Sequence, residues 1–187
     1  MVARPSSAGG HKQGNRETRL TLCTTLLAMP EQFERLLAQV PADQLDWEPA
    51  NWAGTPAERF SARGHLCHLL DIETQGYQLR FRRTLEESLP ELASLDGYQL
   101  ARDNQYPLQD TAVQLDRFRT ARLQTVDWLK ALPSSAWARR ARYGGYGEVT
   151  LDGLVRLLVS HDHQHLAGMQ WLLMRLNADL RLALPLE

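Results

Sequence analysis

Apolar residues recur at helical spacing in four stretches of the chain, set apart by clusters of proline, glycine and polar residues. The first stretch predicts a helix from about Arg19 to Val40. Phe33, Leu36, Leu37 and Val40 share a face, and Pro30 is expected to break or kink the middle. Pro41, Pro49, Gly54 and Pro56 make the segment up to Phe60 too irregular for a regular element. Ser61 is a good N-cap for a second helix running to about Leu85. The connection from Glu86 to Gln109 holds Pro90, Gly97 and Pro107. A third helix opens near Asp110 and ends before Pro133, carrying Val113, Leu115, Phe118, Leu123, Val126, Trp128 and Leu129. Beyond the turn Tyr143-Gly144-Gly145-Tyr146-Gly147, Thr150 can cap a last helix reaching about Leu176. A short piece near Gly147 to Val149 is the one candidate strand. The prediction is an all-α four-helix bundle with a long crossover between helices 2 and 3.

Composition narrows the function. The 187 residues suit one domain, 18–187, behind a loose or disordered tail at 1–17. A formal net charge of -1, with acids and bases interleaved, gives no basic stripe for nucleic acid. No apolar run approaches the roughly 20 residues a bilayer requires, so no membrane partner is expected. Met1 to Gly10 lacks the apolar core of a signal peptide. Cys23 and Cys67 alone do not make a disulfide scaffold and fit a reducing cytoplasm.

Five of the 6 histidines fall in two clusters, Gly64 to Glu73 and Ser160 to His165. At ~100° per residue, His161 and His165 stand roughly 40° apart and 6 Å along one helix, a spacing at which two imidazoles converge on one ion. They share a stripe with Leu154, Leu158, Gly168 and Leu172, so both face the core, whereas His163 points to the far side. On the second helix His68 lies with Ile72 and Leu79 at an edge of the apolar arc. Three histidines with an open fourth position suit zinc, nickel or a similar divalent ion. Hydrogen-bonded core histidines give the same spacing, and that alternative stays open.

Glu73 lies among Leu66, Leu69 and Tyr77, and Asp162 among Val155, Leu166, Met169 and Leu173. Carboxylates on apolar faces need partners. Each can orient a ligand histidine, act as a base, complete the coordination, or pair with an arginine. His161-Asp162-x-x-His165 is a zinc-protease motif with Asp for Glu, but Asp is a methylene shorter and only Asp179 and Glu187 follow as acids. Cys67 sits about 100° from His68 and cannot share its ion, although a Cys-His nucleophile pair is conceivable. Asp103, Asn104, Tyr106, Tyr143 and Tyr146 are candidates for a pocket mouth. The run Arg80-Phe81-Arg82-Arg83 suits the negative end of a helix dipole. The five tryptophans, Trp47, Trp52, Trp128, Trp137 and Trp171, read as packing residues.

Phe60-Ser61-Ala62-Arg63 followed by His65 to Glu73, and Tyr146 to Leu151 leading to His161-Asp162-x-x-His165-Leu166, resemble the second and last helices of the DinB-like superfamily (the DinB/YfiT group). Pro30-Glu31 and Leu132-Pro133 fit the same pattern, which extends over about 18–176. The resemblance implies an up-down-down-up bundle, often homodimeric, with metal ligands at His68, His161 and His165. Glu73 matches a recurrent acid of the pattern. The chain departs from many relatives at Gln164, where they have His, and near Gly168, where they have Gln. Activities implied are a metal-dependent thiol S-transferase using a low-molecular-weight thiol, or a hydrolase acting on a small molecule. A non-catalytic metal-binding stress or damage-response protein, and a bundle with no metal, are the alternatives.

Overall fold

The computed structural model describes residues 8–182; of the tail expected at 1–17, residues 1–7 lie outside them. Helix α1 spans Ala8–Leu37, beginning inside the stretch expected to be loose. It also passes through Pro30 without interruption. Helix α2 is a continuous rod made of Ala62–Asp71, a π-helical stretch at Ile72–Tyr77, and Gln78–Glu86. Ser61 caps it by accepting a hydrogen bond from the Gly64 amide at 3.2 Å. Within the crossover lie a short strand β1 (Glu91–Leu92), helix α3 (Gly97–Asp103) and a 3-10 turn at Tyr106–Leu108. Helix α4 is Thr111–Ala131, capped by Asp110, whose Oδ1 accepts from the Val113 amide at 2.9 Å. Helix α5 is Leu151–Leu182, longer than predicted, with Thr150 accepting from the Gly153 amide at 3.1 Å.

The bundle agrees with the all-α prediction, with one addition. Strands β2 (Arg140–Tyr143) and β3 (Gly147–Thr150) form an antiparallel hairpin, and β1 joins β2 in parallel. Gly145 and Gly147 take φ of +83° and +73° in its turn, a region that L side chains rarely adopt. Strand β3 falls at the candidate strand near Gly147 to Val149; β1 and β2, of two and four residues, are too short to stand out by periodicity.

Helix α1 packs on α4 and α5, and α2 packs on the same two. The core falls into two apolar layers. One holds Cys23, Leu26, Phe81, Val126, Leu129, Leu154 and Leu158. The other holds Met29, Phe33, Leu66, Leu69, Phe118, Met169 and Leu172. Along α2, α4 and α5 the residues between these layers are polar and buried: Glu73, Arg122, Thr125, Asp162 and His165. No described helix is long and apolar enough to cross a membrane.

Candidate metal centre

The polar layer has two halves. The first is built around Arg122, which is 1% exposed. Its Nη1 donates to Asp162, and its Nη2 lies 3.0 Å from Glu73 Oε2, outside hydrogen-bond alignment. Thr125 Oγ1 donates to the other Glu73 oxygen. A third contact explains why Pro30 is tolerated. Proline has no amide hydrogen, so the Leu26 carbonyl four residues earlier loses its helical donor. Arg122 Nη1 stands 3.4 Å from that carbonyl and supplies a long hydrogen bond instead. Burial raises the Glu73 carboxyl above its ordinary range, with Arg122 opposing. Asp162 faces the same burial penalty, but Arg122 holds it below its usual value. Glu73 and Asp162 are thus partners of one arginine, the alternative left open by their placement on apolar faces.

The second half is a group of imidazoles. His68 Nε2 and His161 Nε2 are 3.2 Å apart, and His165 Nε2 is 3.3 Å from Glu58 Oε2. One ligand atom from each of these four residues lies within 4.8 Å of all the others. Two ligands bound at ~2.0–2.1 Å around a tetrahedral ion stand about 3.3 Å apart. Both short contacts match that spacing. His165 Nε2 is buried without a properly aligned hydrogen bond. Burial, followed by the neighbouring imidazoles, pushes His68 down to about 2. His165 is lowered too, first by burial. Imidazoles held neutral are the form that ligates a cation. The close approach of His165, opposed by burial, holds the Glu58 carboxyl well below its ordinary range. The donor set fits a divalent ion in chemistry and in spacing.

Glu58 is the residue that periodicity could not reach. It sits in the irregular connector before Phe60, and its side chain is 40% exposed. His65 is placed as firmly as the three expected histidines: it is 1% exposed and its Nδ1 lies 2.9 Å from His165 Nδ1. His163 is exposed, as its helical position implies. Asp162 Oδ1 lies 3.9 Å from His161 Nδ1, beyond hydrogen-bond reach. The Gly97 backbone abuts the ring of His68, so closely that a Cβ there would fall 2.6 Å from Cε1. Phe60 packs on His68 and His165 at centroid distances of 4.9 and 6.4 Å.

Cys67 faces elsewhere. Together with Asp71, Asp103, Asn104, Tyr106 and Arg117 it lines a polar cavity of about 360 Å³. Burial, then Asp71, pushes its thiol up to about 12, which removes the thiolate that a Cys-His nucleophile pair requires. Asp103, Asn104 and Tyr106 therefore border a pocket, as expected. Tyr143 and Tyr146 do not line it and stack on each other at 5.2 Å.

The sequence pattern of the DinB superfamily matches residues 25–169. No curated protein matches the chain. Among solved structures, YfiT from Bacillus subtilis is similar at 20% identity and a TM-score of 0.75, over 95% of this chain and 94% of that one. YfiT is described as "a probable metal-dependent hydrolase with an unusual four-helix bundle topology".

Proposed function

Given that the chain belongs to the DinB superfamily, we propose that it is a divalent-metal enzyme acting on a small molecule, with His68, His161 and His165 as ligands. The observation that carries this reading is the convergence of three buried or half-buried Nε2 atoms and one carboxylate at ligand spacing. Nitrogen-rich donor sets suit zinc or nickel. When bound, such an ion supplies Lewis acidity and lowers the pKa of a water or a thiol at its open position.

The chain's own residues supply the rest. Burial keeps His68 and His165 neutral, so their lone pairs are available without proton loss. Phe60 and the Gly97 backbone both pack against the ring of His68 and restrict its movement. Glu58 is the carboxylate of the cluster with solvent access, unlike the enclosed Glu73 and Asp162. Held ionised beside His165, it can accept a hydrogen bond from an attacking water or thiol and so orient it. A hydrolase would use water, in line with the description of YfiT. A thiol S-transferase would use a low-molecular-weight thiol to attack an electrophile.

One observation favours a second reading. If Glu58 stays on the ion as a fourth ligand, the site is closed, as structural zinc sites are. The protein would then be a non-catalytic metal-binding stress or damage-response protein. Metal analysis after purification without chelators tests the common premise: one ion per chain is expected, and loss of it in His161→Ala. A wild-type chain without a stoichiometric ion refutes both readings. Panels of ester and amide substrates, and of thiols with electrophiles, then separate them. Turnover that falls at least tenfold in Glu58→Gln with the ion retained supports catalysis; no turnover on any panel supports the closed site.

A further inference from the structure

The two ring nitrogens of His165 face different partners. Nε2 looks toward Glu58 at 3.3 Å, and Nδ1 toward His65 Nδ1 at 2.9 Å. A neutral imidazole carries one proton, so these two contacts are not independent. Two Nδ1 atoms at 2.9 Å can share one hydrogen only. If both were protonated the hydrogens would collide, and if both were bare the lone pairs would repel. A His165 that turns its Nε2 lone pair toward a cation must hold its proton on Nδ1. That proton has one partner in line, the bare Nδ1 of His65, whose own proton must then sit on Nε2.

The surroundings hold His65 in place for this. Its ring is nearly perpendicular to that of His165, at 72° and a centroid separation of 5.1 Å. Phe60 meets it edge-on at 79°. On the remaining side stands Gly168, one turn after His165. A Cβ there would come within 3.0 Å of His65 Cε1 and 2.8 Å of the Ala57 Cβ. A side chain at 168 would crowd both Ala57 and the imidazole.

We infer that His65 is a positioning residue, accepting the Nδ1 hydrogen of His165 and so presenting the Nε2 lone pair to the ion. The inference rests on the metal reading above. It makes His65 the outer partner that metal-binding histidines commonly have, a role filled elsewhere by a carboxylate or a backbone carbonyl. An imidazole in that role is neutral and brings no charge into a buried layer that already contains Glu73 and Asp162.

Zinc affinity, measured by competition with a chromophoric chelator, tests this on two variants. His65→Leu keeps bulk and removes the acceptor, and should bind about 10–100-fold more weakly. His65→Asn offers Oδ1 near the place of Nδ1 and should return to within about threefold of wild type by restoring the accepted hydrogen bond. Nitrogen-15 spectra of the zinc-loaded wild type should show His165 protonated on Nδ1 and His65 on Nε2. A folded His65→Leu with wild-type affinity overturns the inference, and so does a proton found on His65 Nδ1. Should His65→Leu fail to fold, the asparagine variant and the spectra decide. A wild type that takes up no zinc sinks the metal reading itself; a wild type and His65→Leu that bind equally sink only the role of His65.

Discussion

Replacing Arg122 with methionine should be among the most damaging single changes in this protein, and the structure says by how much. The guanidinium is 1% exposed and faces two carboxylates, Glu73 and Asp162, neither more than 2% exposed. It also serves the Leu26 carbonyl that Pro30 leaves without a donor. Methionine fills much of the volume but leaves both acids uncompensated and one carbonyl unpaired. Breaking a buried ion pair costs about 3–5 kcal/mol. Against a total stability on the order of 5–15 kcal/mol, that is a large share. With a urea m-value of about 2 kcal/mol/M, a loss of about 4 kcal/mol lowers the unfolding midpoint by about 2 M. The titration is done with chelator present, so that metal affinity does not enter. The cost should also depend on pH. Burial raises the folded-state pKa of Glu73, so its contribution is fully present below the unfolded value and is lost as pH rises through the folded one. Arg122 opposes that rise, and without it Glu73 climbs further. The Arg122→Met penalty should therefore be smaller near about pH 5 than near about pH 8. The triple variant Arg122→Met, Glu73→Met, Asp162→Leu removes every charge and should recover most of the lost midpoint. A midpoint shift below about 0.5 M for Arg122→Met, with m unchanged, would falsify this account of the layer.

Three further outcomes are expected. Zinc at about 100 times its dissociation constant should stabilise the fold by about 2.7 kcal/mol, read as a rise in melting temperature that chelator reverses; no rise would mean that the folded chain has no specific site. Gly97→Ala should weaken zinc binding about tenfold while circular dichroism stays unchanged, because its Cβ would fall 2.6 Å from His68 Cε1; unchanged affinity would show that α3 yields instead. Asp110→Ala removes the cap of α4 and should cost about 1 kcal/mol, a melting shift of about 2–4 °C, with zinc affinity unaltered.

Much of this arrangement is legible in the chain. The i, i+4 spacing of His161 and His165 and the apolar stripe around them place two imidazoles in the core. The caps at Ser61, Asp110 and Thr150 mark three of the four long helices. The partner of Glu73 and Asp162 had a signal too. Arg122 continues the run Leu115, Phe118, Val126, Leu129 at steps of three and four, a charge at a core position of α4. Glu58 had none. Its segment carries no periodicity, and its approach to His165 is a tertiary contact across most of the chain's length. His65 was harder for a different reason. Burial of a second imidazole on α2 follows from the pattern, but its meeting with His165 depends on how α2 and α5 pack. The continuity of α1 through Pro30 was likewise hidden, because it depends on a donor reaching in from α4.

The polar layer between the two apolar ones has a consequence for how the helices find one another. Leucine faces are permissive: two of them can slide by a turn, about 5.4 Å, and still bury similar area. Here such a slip would set Arg122 against leucine and leave Glu73 or Asp162 facing hydrocarbon. Each misaligned packing would thus carry an unpaired buried charge, while one alignment leaves none. The layer adds little to the depth of the native minimum compared with an apolar substitute. Its effect is on the competing arrangements, which it raises, so that the alignment that assembles the histidines is also the one the core accepts.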